Sequence, residues 1–122
     1  TKIQPFSTAQ PGASGLELLL PLALQWAHAD GIALPQALAT ITSRPAKILH
    51  PHLCATLQDG LGKLAVGGVA DLCIINPDAT WTVNNATLRS RSKFTPFAGQ
   101  TLSGRVLHTI RDGRVVFTAD AN

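Results

Sequence analysis

Gly62-Lys63-Leu64-Ala65-Val66-Gly67-Gly68-Val69-Ala70-Asp71-Leu72 is the stretch on which the fold turns. Glycines at 60, 62, 67 and 68 break the chain into short turns. The apolar run that follows, residues 70–75, predicts a buried strand with Cys73 as a small core residue. Asp71 at its mouth is suited to accepting hydrogen bonds from turn amides. On the amino-terminal side of this stretch the pattern is helical. On the carboxy-terminal side it is that of strands, with a boundary near residues 50–62.

Working back from that boundary, Arg44-Pro45-Ala46-Lys47-Ile48-Leu49 predicts a short helix with Thr42-Ser43 as its cap, closed by His50-Pro51-His52. An earlier helix starts at Pro35, a favoured first-turn residue, and lines one face with Ala37, Leu38 and Ile41. Before it, Leu16, Leu19, Leu20, Ala23, Leu24 and Ala27 recur at helical spacing. Leu18 and Leu22 widen that stripe, which predicts a helix buried on most sides. Ser14 and Glu17 match the S-x-x-E capping box, Pro21 predicts a kink, and Asp30-Gly31 predicts the stop. Residues 1–12 read as a loop.

Working forward, Thr80-Trp81-Thr82-Val83 predicts a second strand after a turn at Pro77-Asp78, and Asn84-Asn85 turns again. Asp112-Gly113 between two alternating runs, 105–111 and 114–118, is the strongest hairpin signal. Four strands on one hairpin would leave an apolar sheet edge open. The composition agrees: 45% of the 122 residues are apolar and only 14% charged, against about 25% charged in an ordinary soluble domain. The chain starts at Thr1 and has no Met, so we expect a piece of a longer chain that covers these surfaces.

The net charge of +3 is scattered, with Arg89, Arg91 and Lys93 separated by serines, and Tyr is absent. That argues against a nucleic-acid surface, which needs clustered cations and stacking aromatics. The longest apolar run, residues 18–24, is too short to span a membrane and contains Pro21. Cys54 and Cys73 form no zinc-ligand pattern. With no targeting segment visible, the cytoplasm is the expected compartment, and both cysteines would stay reduced there.

Three stretches, in this order, resemble the end of amidohydrolase-superfamily enzymes: residues 43–49, residues 62–72, and Gly104-Arg105-Val106 through Asp112-Gly113-Arg114-Val115-Val116-Phe117. Within the superfamily, residues 11–17 and residues 90–99 (SRSKFTPFAG) are similar to dihydroorotases. Two positions depart from that pattern: His50 stands where the family usually has Gly, and Phe94 where it has Asn. The resemblance implies an α/β parent, a (β/α)₈ barrel plus a small β-sandwich. Residues 1–50 would end the barrel with its last helix and linking helices. Residues 51–122 would supply the carboxy-terminal strands of the composite sandwich.

The resemblance also implies function. The parent would hydrolyse the cyclic amide of dihydroorotate reversibly to N-carbamoyl-aspartate, using zinc. Its metal ligands and catalytic aspartate would precede Thr1, so no catalytic residue and no metal ligand is expected in this chain. His50-Pro51-His52 follows a helix rather than a strand and is expected to be a surface corner. His28 is expected to face the negative end of its helix. The residues matching Pro11 and Gly12 contact substrate in the family. Gly12 would permit close backbone approach, and the helix start just beyond would offer amides to an anion. The implied partners are the remainder of the same chain, the small-molecule substrate and a homo-oligomer. Two alternatives stay open. One is a non-catalytic assembly partner of aspartate transcarbamoylase. The other is a different cyclic-amide hydrolase of the hydantoinase or allantoinase type.

Overall fold

The computed structural model describes Pro5, Ser7, Thr8, residues 12–52 and residues 61–119. Pro11 and Cys54 lie outside the described residues. Among those described, a 3-10 turn (Leu16–Leu18) leads into helix α1 (Leu19–Ala29), followed by α2 (Leu34–Ile41) and α3 (Ser43–Leu49). A three-stranded antiparallel sheet follows, in the order β1 (Leu72–Thr82), β2 (Thr101–Arg111), β3 (Arg114–Thr118). Helices first and strands second is the order expected from the sequence.

Local chemistry accounts for the ends of α1 and for the hairpin. Gly31 has φ +65. The Ile32 amide donates to Ala27 O at 2.8 Å and the Gly31 amide to His28 O at 3.4 Å, the paired bonds of a Schellman stop. His28 is exposed in the last turn of α1. Asp112 (φ 50) and Gly113 (φ 72) both lie in the left-handed region, so the β2–β3 turn twists with its strands. Asp71 Oδ1 accepts the Asp112 amide at 2.7 Å, and Ala70 O accepts the Gly113 amide at 3.1 Å. Asp71 therefore does serve turn amides, but those of a hairpin some forty residues away.

Several expectations are corrected. The capping box is not formed. α1 starts at Leu19, the preceding 3-10 turn is flanked by Gly15, and neither has a side-chain cap. Ser14 and Glu17 are engaged instead by the segment before β2. Pro21 does not kink the helix interior; it is the third residue of α1, where the missing N–H would have had no intrahelical partner. Thr42 precedes α3 without capping it, because its hydroxyl bonds back to Leu38 O at 2.7 Å.

The two strands expected on either side of Pro77-Asp78 are one strand, so the sheet has three strands rather than four among the described residues. Asn76 pairs with Arg105 and Thr80 with Ser103, so three residues of β1 face one of β2. The Asn76 side chain accepts the Asp78 amide at 3.0 Å and closes this bulge locally. Nor is the start of β1 buried. Leu72, Cys73 and Ile74 are exposed, because nothing among the described residues stacks on them.

The core sits where α1 crosses the sheet. Leu18 (0% exposed), Val83 (1%), Leu88 and Leu102 (2%) form one cluster, and Leu22, Trp81 and Phe97 pack around it. It draws on the helical half, on β1 and β2, and on the long connection between those strands. Gly104 permits the closest approach of α1 to β2. It has φ +104, and a Cβ there would lie 2.5 Å from Leu24 Cδ1. Its carbonyl accepts the Trp81 indole N–H at 3.1 Å. Away from this seam the apolar side chains are open: Leu16 is 86% exposed, and Ile48, Leu64, Val115 and Val116 are also exposed. The all-round burial expected for the first helix is thus absent on the side bearing Leu16 and Leu19.

Candidate functional site

The three stretches that carry the resemblance are brought into contact. A Cβ on Gly62 would lie 2.6 Å from Ala46 Cβ and 3.2 Å from Ser43 Cα, so the turn opening the second stretch sits on the helix of the first. The same second stretch ends at Ala70 and Asp71, which hold the hairpin of the third. Each stretch supplies the surface or the acceptor that the next one needs.

Gly12, expected at the substrate, is exposed with φ +85, and nothing lies within 4 Å of where its Cβ would be. A side chain there would be strained, while the bare backbone leaves one face open to approach by another molecule. The second residue expected at the substrate, Pro11, lies outside the described residues. The helix start expected to offer its amides beside Gly12 lies further along the chain. α1 begins at Leu19, well past the loop, and the Ser14 amide is committed to Phe94 O at 2.8 Å.

What holds the start of this loop is a clamp. Ser14 Oγ donates to Ser92 O at 2.7 Å. Glu17 Oε2 accepts the Arg89 amide at 3.0 Å and Oε1 the Ser90 amide at 2.8 Å. Lys93 Nζ donates to Leu88 O within the same segment, and Leu88 is anchored in the core. Arg89 lies over the Phe117 ring, 4.8 Å from its centroid. The basic stretch 89–93 is therefore folded onto this chain's own residues. Local spacing could not have revealed the clamp, since S-x-x-E serves a neighbouring cap equally well.

Among the described residues no group of three or more His, Cys, Asp or Glu side chains could hold a metal ion. His50 and His52 are exposed in a 3-10 turn (His50–His52). His108 lies in β2, with Nδ1 3.2 Å from Thr118 Oγ1. Zinc thus does not fit the side chains described. No described helix is long and apolar enough to cross a membrane.

Comparison with known proteins places these observations in a family. The amidohydrolase family model matches residues 26–117. The chain is 39% identical over 98% of its length to a dihydroorotase of Anaplasma phagocytophilum and 37% identical over 100% to one of Ehrlichia canis. It is 40% identical over 93% to a dihydroorotase-like protein of Pseudomonas putida. It spans only 25%, 26% and 25% of these three relatives. A D-hydantoinase structure superimposes on 93% of this chain, and on 23% of its own, with a TM-score of 0.75 at 23% identity. The family match, over residues 26–117, establishes that this chain belongs to the amidohydrolase family.

Proposed function

We propose that this chain is the carboxy-terminal part of a zinc-dependent dihydroorotase, a cytoplasmic enzyme that opens and closes the cyclic amide of dihydroorotate. In the intact protein, residues 1–50 would end a (β/α)₈ barrel and residues 51–122 would belong to a small β-sandwich completed by earlier strands. Zinc, bound by residues outside this chain, would supply an activated water and polarise the amide carbonyl. The described residues would bind and orient. Gly12, together with Pro11, would bring backbone against the ring amides and carboxylate of the substrate. The exposed side of α1 and of the turn before it, at Leu19 and Leu16, would be covered by the barrel, as would other apolar surface left open here. The observation that carries this proposal is the similarity to dihydroorotases along nearly the whole chain.

The test is made on the full-length protein: metal content, and turnover of dihydroorotate and N-carbamoyl-aspartate in both directions. Zinc-loaded protein that acts on both supports the proposal. Protein that opens a hydantoin or allantoin but leaves dihydroorotate untouched sinks it.

A second proposal rests on the Pseudomonas putida relative, whose name says dihydroorotase-like rather than dihydroorotase. On this alternative the parent has no activity and persists as an assembly partner of aspartate transcarbamoylase. Replacement of the upstream metal histidines, and co-sedimentation with that enzyme, would favour it. A metal-loaded and active full-length chain would exclude it.

A further inference from the structure

We propose that Glu17, with Ser14, is a positioning pair that sets the Gly12 loop for substrate by lacing it to residues 89–94. The inference rests on the dihydroorotase proposal above. Ser14 and Glu17 follow Gly12 by a few residues; residues 12–15 form no helix or strand, and Glu17 lies in the single 3-10 turn that follows. No backbone ladder therefore fixes that stretch. Four hydrogen bonds do. Ser14 donates through N to Phe94 O and through Oγ to Ser92 O, at 2.8 and 2.7 Å. Glu17 accepts the Arg89 and Ser90 amides on its two oxygens, at 3.0 and 2.8 Å.

The pattern is two-point and directional. One residue donates to carbonyls and the other accepts from amides, so the two strips cannot slide past each other without breaking bonds of both kinds. A carboxylate is the side chain that fills this role, because ionised it only accepts, and its two oxygens meet two adjacent amides. The far strip is itself anchored: Leu88, beside Arg89, is buried in the core cluster with Leu18, which follows Glu17. Loop, clamp and core are thus in series, and a small movement at Glu17 is passed to Gly12.

The experiment uses the full-length protein and four substitutions. Glu17→Gln is isosteric but turns one acceptor into an NH₂ group facing an amide donor. We expect KM for dihydroorotate to rise roughly five- to thirtyfold, the effect of one or two kcal/mol, with kcat within about twofold and zinc content unchanged. Hydrogen exchange at the Arg89 and Ser90 amides should speed up. Glu17→Asp keeps two acceptors and should recover part of the KM. Asp71→Ala, at the β2–β3 hairpin and outside this series, should lower the melting temperature and leave KM unchanged.

If Glu17→Gln frees the two amides but leaves KM as in the wild type, the clamp serves the fold alone and the proposal is overturned. It is overturned equally if Asp71→Ala raises KM as much. Should Glu17→Gln fail to fold, Glu17→Asp and Ser14→Ala decide by the same KM readout. Wild-type protein that holds zinc yet ignores dihydroorotate overturns the underlying enzyme proposal itself, an outcome distinct from unchanged KM in an active enzyme.

Discussion

Replacing Gly104 by Ala should destabilise the protein through two separable effects. The first is conformational. Gly104 has φ +104, a region that side chains rarely occupy, at a cost of about 1–3 kcal/mol. The second is steric. The new Cβ would lie 2.5 Å from Leu24 Cδ1, while its 3.7 Å separation from Pro21 Cα is ordinary contact. Overpacking of this kind costs about 1–3 kcal/mol. Leu24 is half-buried and the atom in question is a methyl tip, so rotation will relieve part of the clash. A total near 2–4 kcal/mol is expected, a large share of the roughly 5–15 kcal/mol that ordinary domains possess.

The assay is urea unfolding of the full-length protein, followed by tryptophan fluorescence, since the Trp81 indole donates to the Gly104 carbonyl. A double-mutant cycle with Leu24→Ala separates the effects. Leu24→Ala removes the methyl tip, so the pair should be more stable than the sum of the single losses by about 1 kcal/mol or more. The conformational loss should remain. Loss below about 0.5 kcal/mol for Gly104→Ala, or strict additivity with Leu24→Ala, would refute the close approach of α1 to β2.

Gly12→Val should raise KM for dihydroorotate at least about fivefold without removing zinc, because the strained loop would withdraw from the ligand; unchanged kinetics would refute the substrate role of Gly12. Asp71→Ala should cost about 1 kcal/mol in urea unfolding, because the Asp112 amide loses its acceptor at 2.7 Å, whereas Asp71→Asn keeps a carbonyl oxygen and should be nearly neutral. Cys73, exposed in this chain, should be slow to react with a thiol reagent in native full-length protein and fast in denaturant. Rapid native labelling mapped to Cys73 would argue that no further part of the protein covers the start of β1.

What the amino-acid sequence determined by itself is what short-range physics controls. Asp112-Gly113 makes the hairpin because two successive residues must take positive φ, and few pairs do so at low cost. Asp30-Gly31 ends α1 for a related reason, with Gly31 in the left-handed region and two backbone bonds closing behind it. Pro35 opens α2 where a missing N–H does no harm. The order of helices before strands follows from such local signals.

Only the tertiary structure decided which partner each polar group takes. Ser14 and Glu17 spell a capping box, yet their oxygens go to residues 89–92, because the connection between β1 and β2 folds back over Leu18 and presents its amides and carbonyls there. Pro77-Asp78 spells a turn, yet β1 continues past it, and pairing on both sides absorbs the extra residues as a bulge. Cys73 spells a core position, yet no described layer lies on it. In each case spacing along the chain states what a residue can offer. Whether the offer is met depends on backbone groups far away in sequence, and those are placed by the packing of α1 on the sheet.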